Sequence, residues 1–376
     1  MRAAVAAIVA VVFGLVVVWS SRTPRLPRHI VSSSRKPAEI RRCRDCHEEI
    51  SDGFATAPHR IALTPADDPV VLARFAGKKY HWPPDGPTYR FEARGRELWL
   101  ESDAYPDAVR VNWIFGGGRH AQTPVSVWNN ADGQSVVLQH RISWYPGAGL
   151  GPTLGLKEDQ PAATGIGTVG EMLNHAESMD CFGCHTTHLP QHRGRIDRDH
   201  IVRGIRCARC HPGGEQHIAA IEQDVQTMQS WSSLSPLESI NRCGECHRRS
   251  DQLTKADIDP DRLVLVRFAP VGLSMSACFQ NQQDARFPTA AKTRLDCLTC
   301  HDPHRPTITD PKFYVAKCLS CHGSDPGQAP VCASQPMTSQ CLTCHMPTLP
   351  VQQHLAFTDH WIRIRRKKPR STRSAP

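Results

Sequence analysis

The chain has 376 residues, of which 40% are hydrophobic and 22% charged, and its formal net charge is +9. These proportions exclude a disordered chain and a small disulfide-stabilised peptide, and the length is sufficient for two or three domains. The unusual feature is the presence of sixteen cysteines and twenty histidines beside only 6% aromatic residues.

The N-terminus carries one early positive charge, Arg2, followed by a charge-free run from Ala3 to Ser21. As a helix this run is about 28 Å long, close to the thickness of a bilayer core. It predicts an uncleaved membrane anchor over residues 1–21. The alternative is a removed signal peptide, although Val18–Ser20 is a weak cleavage site. Residues 22–40, rich in Arg, Pro and Ser, are then expected to form a tether.

The pattern C-x-x-C-H occurs seven times, whereas the cysteine and histidine frequencies predict roughly 0.04 chance occurrences. It is typical of covalent c-type haem attachment, because two thiols three positions apart bond one haem edge and the adjacent imidazole binds the iron. Zinc sites and thioredoxin-like pairs also use C-x-x-C, but neither requires the following histidine each time. We therefore expect seven covalently bound haem c groups, at motif 1 (Cys43, Cys46, His47), motif 2 (Cys181, Cys184, His185), motif 3 (Cys207, Cys210, His211), motif 4 (Cys243, Cys246, His247), motif 5 (Cys297, Cys300, His301), motif 6 (Cys318, Cys321, His322) and motif 7 (Cys341, Cys344, His345).

Haem attachment of this kind takes place outside the cytoplasm, so the sequence predicts a single-pass protein of the cell membrane with its haem domain in the periplasm. Haem propionates also change the charge balance. Seven haems would turn the formal +9 into about +2 when oxidised and about −5 when reduced. We interpret the basic excess as compensation for propionates, and we expect no nucleic-acid partner.

The long gap between motifs 1 and 2 contains the clearest strand signals. Residues Tyr89 to Leu100 partly alternate around Gly95, and Val125–Trp128 and Val136–Trp144 flank a turn at 129–133. The predicted fold class is a mainly α and irregular, haem-packed multihaem cytochrome c with a small antiparallel β insert and one N-terminal transmembrane helix. After the anchor and tether, the predicted segments are a first haem segment (41–60), the β-rich insert (61–165), a three-haem segment (166–250), a connector (251–290), a second three-haem segment (291–362) and a basic tail (363–376).

The basic tail has two interpretations. It is a solvated, disordered end, or it contacts lipid headgroups or an acidic partner.

Two cysteines, Cys278 and Cys332, lie outside the motifs. In an oxidising compartment two spare thiols usually pair, so a disulfide is expected. Two unpaired thiols, or a thiol ligand to one iron, are the alternatives.

Thirteen histidines remain outside the motifs as candidates for the second iron ligand. Eight of them follow a motif within twenty residues, so sequence distance alone does not select among them. His120 is a further candidate because Gly116–Gly118 would let the backbone approach a haem closely. His175 and His188 are weaker ones.

The motifs and their surroundings resemble multihaem cytochromes with a c-554-type (cytochrome c-552/4) domain, related to octahaem hydroxylamine oxidoreductase and pentahaem nitrite reductase. Thr56–His59 looks like the family's (S/T)-x-x-H after the first motif. Gly204–His217 is similar to its G-V-x-C-x-x-C-H-G-P-G-x-x-H segment, with Pro-Gly in place of Gly-Pro. Cys297–His304, Cys341–Pro347 and Phe357–Ile362 look like its C-terminal signature.

The resemblance implies a chain of haems whose irons mostly have two histidine ligands. It favours five distal ligands, His59, His217, His304, His354 and His360, beside the independently suggested His120. The pairing of each distal histidine with a haem stays open. The family includes carriers and enzymes, but this chain has neither the C-x-x-C-K motif of the nitrite reductases nor a tyrosine in the context of the hydroxylamine oxidoreductases.

We therefore predict electron transfer along bis-histidine haems between redox partner proteins, with no catalytic residue assigned. The alternative is a multihaem oxidoreductase that acts on a small nitrogen or sulfur compound at a five-coordinate haem. A third interpretation is a structural subunit that docks a redox partner through the β insert.

Overall fold

The computed structural model describes residues 40–156, 160–162, 164–220, 228–253, 263–282, 294–323, 328 and 340–365. These residues contain twelve α-helices and seventeen strands. The helices are α1 (Ile40–Arg44), α2 (Glu48–Phe54), α3 (Pro69–Phe75), α4 (His175–His185), α5 (Cys207–Cys210), α6 (Gly214–Ala220), α7 (Pro236–His247), α8 (Ala269–Ser274), α9 (Ala277–Gln280), α10 (Cys297–Cys300), α11 (Pro311–Leu319) and α12 (Cys341–His345).

The strands are β1 (Leu63–Pro65), β2 (Lys79–His81), β3 (Thr88–Arg94), β4 (Glu97–Ser102), β5 (Tyr105–Val111), β6 (Trp113–Phe115), β7 (Thr123–Asn129), β8 (Ser135–His140), β9 (Ile142–Tyr145), β10 (Gly149–Pro152), β11 (Gly170–Met172), β12 (Thr186–His188), β13 (Gln191–His192), β14 (Arg195–Ile196), β15 (Val202–Arg203), β16 (Thr348–Gln352) and β17 (Leu355–Thr358).

A four-stranded antiparallel sheet has the order β2-β3-β4-β5. Tyr89 and Phe91 on β3 and Leu98 and Leu100 on β4 are fully buried, because alternate side chains of a strand point to one face. Helix α3 covers that face, and its Phe75 ring lies 5.0 Å from the Phe91 ring. This packing creates the largest hydrophobic cluster among the described residues.

A five-stranded antiparallel sheet has the order β1-β6-β7-β8-β11. Its interior strand β8 is buried on both faces: Leu138 packs into the cluster of the four-stranded sheet, and Val137 packs on the opposite side. On that opposite side lies α4, whose Phe182 is fully buried. The Val137 N–H donates a hydrogen bond to the Ser178 hydroxyl at 2.9 Å, so α4 is fixed to the sheet by polar contacts as well.

The structure confirms the two strand signals but corrects the predicted fold class. Strands β3 and β4 pair around Gly95, and β7 and β8 pair across the predicted turn. However, the β structure is not a small insert in a mainly α chain, since two multistranded sheets pack on each other and further two-stranded sheets lie between and after the motifs. Such short strands (β12–β15 and β16–β17) have two to five residues each and leave no alternating pattern to recognise.

The prediction of a transmembrane helix is corrected as well. No helix in the described ranges is long and apolar enough to cross a membrane. The longest, α7, has twelve residues, about 18 Å of helix against a hydrocarbon core of about 30 Å. The described residues thus contain no helix that supports the predicted single-pass membrane localisation. Residues 1–21, on which that prediction depended, lie outside the described residues.

The haem segments have little apolar core of their own. The cluster built on α7 and α8 contains three buried residues, Ile240, Leu273 and Phe279. Helix α7 is fixed instead by its ends: Pro236 is at its first turn, and Ser235 and Glu238 form a capping box. Motif 4 therefore lies at the C-terminus of a well-defined helix.

The start of the predicted basic tail is ordered. Asp359, 4% exposed, forms ion pairs with Arg363 and Arg365, and Arg363 also lies 3.8 Å from the centre of the Trp361 ring. These two arginines hold the chain after β17 in place, so for them the interpretation as a solvated tail is wrong. Residues 366–376 lie outside the described residues.

Candidate haem-binding sites

Every motif begins in, or lies at the end of, a short helix. Motifs 2 and 4 end α4 and α7, motifs 3 and 5 occupy α5 and α10, and motif 7 forms α12. In motif 1 only Cys43 lies on α1, which ends at Arg44, and in motif 6 only Cys318 lies on α11, which ends at Leu319. Helical spacing places thiols i and i+3 on one face, which is the arrangement that a single haem edge requires.

The histidine of several motifs leaves the helix. His211 and His301 follow their helices with non-helical backbone angles. Each imidazole can therefore turn away from the helix axis, as a proximal iron ligand must.

Three motif histidines face a histidine from a distant part of the chain. The ring centres of His247 and His59 are 6.1 Å apart, those of His211 and His304 are 6.2 Å apart, and those of His301 and His360 are 6.2 Å apart. The angles between the ring planes differ, at 80°, 12° and 40° respectively.

This separation tests whether an iron fits between the rings. Two metal–imidazole bonds of about 2 Å each, with about 1 Å from each nitrogen to its ring centre, place the two centres roughly 6 Å apart. The observed distances agree with that sum in all three pairs. Ring pairs without a metal cover a wide range of centre distances, from 4.5 Å in the Phe115–His185 stack to 6.3 Å between His211 and Trp231. The separation therefore fits an iron between the rings without requiring one.

Backbone carbonyls orient several of these imidazoles. The Nδ1 of His185 donates to the Ala62 carbonyl at 2.7 Å, that of His360 to the Thr358 carbonyl at 2.9 Å, and that of His345 to the Arg363 carbonyl at 3.1 Å. A bond at Nδ1 fixes the tautomer and leaves Nε2 with its lone pair for a metal. These residues are thus held in the state that iron ligation needs.

Burial keeps the same imidazoles neutral. It lowers the pKa of His247 to about 4, with further lowering by the neighbouring His59 and His185. Burial also lowers the pKa of His185 and of His360, in each case against a smaller raising effect of the carbonyl bond. Neutral imidazole is the ligating form, so no proton has to be displaced at neutral pH.

Thiols of different motifs lie next to one another. A hydrogen bond to Cys184 of motif 2 lowers the pKa of Cys246 of motif 4 to about 7. A bond to Cys297 of motif 5 lowers the pKa of Cys243 of motif 4, and Cys43 of motif 1 bonds to Cys207 of motif 3. Groups attached to these thiols would therefore be neighbours, and motif 4 would have neighbours on two sides.

Three predicted distal ligands are not brought to a motif histidine in this way. In the described part of the chain, the His120 ring lies 4.9 Å from Phe357 and the His354 ring lies 5.6 Å from Tyr145. His217 lies on α6, directly after motif 3. Their role as iron ligands stays a prediction. So does the identity of the second iron ligand opposite His47, His185, His322 and His345.

The predicted disulfide cannot be placed, because Cys332 lies outside the described residues. Its proposed partner Cys278 is half-buried on α9, where burial raises the pKa of its thiol. No disulfide is present among the cysteines of the described ranges.

Sequence reasoning missed the residues that orient the ligands. Phe115 on β6 stacks on the His185 ring, with the planes 19° apart, and Asp302 accepts a hydrogen bond from the Nδ1 of His304 at 3.0 Å. Ala62, Thr358 and Arg363 act through their carbonyls, which every residue possesses. Only Asp302, located between two candidate ligands in the H-D-P-H segment, had a side-chain signal that could have been noticed.

Comparison with known proteins gives a family match over part of the chain and a similar solved structure. Residues 156–212, which include motifs 2 and 3, match the family described as cytochrome c554 and c-prime. The structure is similar to the crystal structure of the outer cell wall cytochrome OcwA, with 14% sequence identity, a TM-score of 0.48, and coverage of 86% of this chain and 78% of that one. No curated protein matches the chain.

The predicted relation to hydroxylamine oxidoreductase and nitrite reductase is not shown by these comparisons and stays a prediction. The family match coincides with two of the motifs, and covalent haem and electron transfer are the chemistry of that family. Taken together, the motifs and the matched segment support a c-type cytochrome that binds haem c covalently and transfers electrons.

Proposed function

We propose that this chain is a heptahaem electron-transfer cytochrome in which most irons have two histidine ligands. Three ligand pairs are assigned: His247 with His59, His211 with His304, and His301 with His360. The observation that carries the assignment is the ring-centre separation of 6.1–6.2 Å in all three pairs. The haems supply the change of iron oxidation state, and the protein supplies the ligands and their orientation.

Two histidine ligands suit electron transfer rather than substrate chemistry. The iron keeps six ligands in both oxidation states, so few atoms move when an electron arrives or leaves. The thiol contacts between motifs support close spacing of the haems. Electron transfer from one partner protein to another needs such spacing. The number of seven haems follows from the number of motifs.

The assignment of His59 is tested by His59→Ala. Cysteines attach the haem, so the variant should retain the haem content of the wild type by mass spectrometry. One low-spin signal in the oxidised electron paramagnetic resonance spectrum should be replaced by a high-spin signal, because one iron loses its sixth ligand.

His81→Ala is the matched control, since His81 lies exposed on β2 and bonds Thr88 and the Pro84 carbonyl. An unchanged spectrum in His59→Ala would refute the assignment. A wild-type protein that already shows a strong high-spin signal and binds cyanide would favour an oxidoreductase with a five-coordinate haem instead.

A further inference from the structure

The tetrapeptide His301–His304 (H-D-P-H) contacts all three of the ligand pairs assigned above. His301 is the motif histidine of one pair and His304 is the distal histidine of another. The carbonyl of Pro303 hydrogen-bonds the ring of His59, the distal histidine of the third. Four consecutive residues thus position ligands at motifs 3, 4 and 5.

Asp302 differs from the other groups that orient ligands, because it is a carboxylate. Its Oδ1 accepts the Nδ1–H of His304 at 3.0 Å and also the backbone N–H of His304 at 2.9 Å. Both bonds come from the same residue, so the backbone and the ring of His304 are fixed together. His185, His345 and His360 donate instead to neutral backbone carbonyls.

The other oxygen of Asp302 is held as well. Arg305 lies 3.5 Å from Oδ2 and reaches Glu49 on α2 at 3.0 Å. The side chain of Asp302 therefore cannot rotate away without breaking contacts on both oxygens, and the arrangement connects to the helix that follows motif 1.

A carboxylate bonded to the outer nitrogen of an imidazole increases the electron donation of the other nitrogen to a bound metal. Stronger donation stabilises the ferric state more than the ferrous state and lowers the reduction potential, since hydrogen bonding to a ligand is one of the means by which a protein tunes a haem. A carbonyl has the same effect more weakly because it carries no net charge.

We propose that Asp302 is a positioning residue that orients His304 and lowers the reduction potential of the haem attached at Cys207 and Cys210. This inference rests on the proposed assignment of His304 as the distal ligand of that haem. The carboxylate thus lowers the potential at motif 3 relative to the same site without that charge.

The decisive variant is Asp302→Asn, which retains an oxygen that can accept the Nδ1–H but removes the charge. A redox titration followed by electron paramagnetic resonance should show one low-spin centre at a higher potential than in the wild type, with all haems attached and the ligand retained. Asp302→Ala removes the acceptor too, and should also alter the line shape of that signal as the ring loses its fixed plane.

Asp310→Asn is the matched control, because Asp310 caps α11 through the Lys312 N–H at 2.9 Å and, among the described residues, contacts no candidate ligand. It should titrate as the wild type does. His304→Ala identifies the signal, because it should convert that low-spin centre to high-spin.

The outcomes separate the two hypotheses. If His304→Ala changes no signal, the ligand assignment of the proposed function is wrong. If His304→Ala removes a low-spin signal but Asp302→Asn titrates as the wild type, the ligand assignment stands and the role of Asp302 is refuted.

Discussion

At the scale of single residues, one histidine of this chain belongs to a structural core rather than to a candidate iron site. His140 on β8 is fully buried, and its Nε2 lies 2.8 Å from the Ser126 hydroxyl. It belongs to the β part of the molecule and faces no motif. The twenty histidines are therefore not all candidates for iron binding, and burial within a sheet distinguishes His140 from those that are.

His140 predicts acid sensitivity of the β part. Burial lowers its pKa from 6.5 to about 3 in the folded protein. Between those values the unfolded chain binds a proton that the folded chain does not, so the free energy of unfolding falls as the pH is lowered. The contribution is fully present above pH 6.5 and is lost progressively towards pH 3.

Denaturant unfolding of wild type and His140→Gln at pH 7.5 and at about pH 5 checks this prediction. The variant should lose less stability on acidification than the wild type does. His192→Gln, at an exposed position of β13, should behave as the wild type. An equal loss of stability in wild type and His140→Gln would show that other groups cause the acid effect.

At the scale of secondary-structure elements, the helices that carry motifs are short and depend on their ends. Helix α7 has a capping box in which the Ser235 hydroxyl accepts the Glu238 N–H at 3.2 Å and the Glu238 carboxylate accepts the Ser235 N–H at 2.7 Å. Isolated helices of this length are marginal in water. The cap therefore contributes directly to the placement of motif 4, whose histidine ends the helix.

Ser235→Ala should lower the free energy of unfolding by about 0.5–2 kcal/mol, because the backbone N–H of Glu238 loses its side-chain acceptor. Hydrogen exchange should show the increase in opening concentrated in α7. Glu238→Gln is the control, since Gln also completes a capping box and the effect should be within about 0.5 kcal/mol. A Ser235→Ala protein with unchanged exchange in α7 would mean that haem attachment alone holds the helix.

At the scale of the whole molecule, the apolar core is unevenly distributed. The two larger clusters of buried residues lie on the two sheets and α4, whereas the cluster on α7 and α8 has three buried members. Several large apolar side chains near the motifs are exposed, among them Ile50, Leu237 and Leu298. Haem faces would supply the missing apolar contact area in these segments.

This distribution predicts partial folding of a chain produced without haem attachment. Limited proteolysis should spare the region from β1 to β11, because its core is made of side chains alone, and should cleave the segments around α7 and α11 quickly. The haem-loaded protein, digested in parallel, should resist cleavage in both regions. Equal cleavage of the two regions in the haem-free chain would contradict the prediction.

The sequence predicted the strands best where the alternation of apolar and polar residues was long enough to recognise. Tyr89, Phe91, Leu98 and Leu100 carry that signal, and all four are buried in the structure. The two-stranded sheets after motifs 2 and 7 were not predictable, because strands of two to five residues are decided by the neighbours they pair with rather than by their own pattern.

What the sequence determined by itself is the chemistry of attachment: fourteen cysteines and seven adjacent histidines in a fixed local spacing, together with the histidines that could complete the iron sites. Local spacing is sufficient there because the two thioether bonds and the proximal iron ligand of one haem all come from five consecutive residues. Only the tertiary structure decided which histidines face each other. His59, His304 and His360 come from segments far from His247, His211 and His301, and their distances depend on how loops and helices pack rather than on their order in the chain.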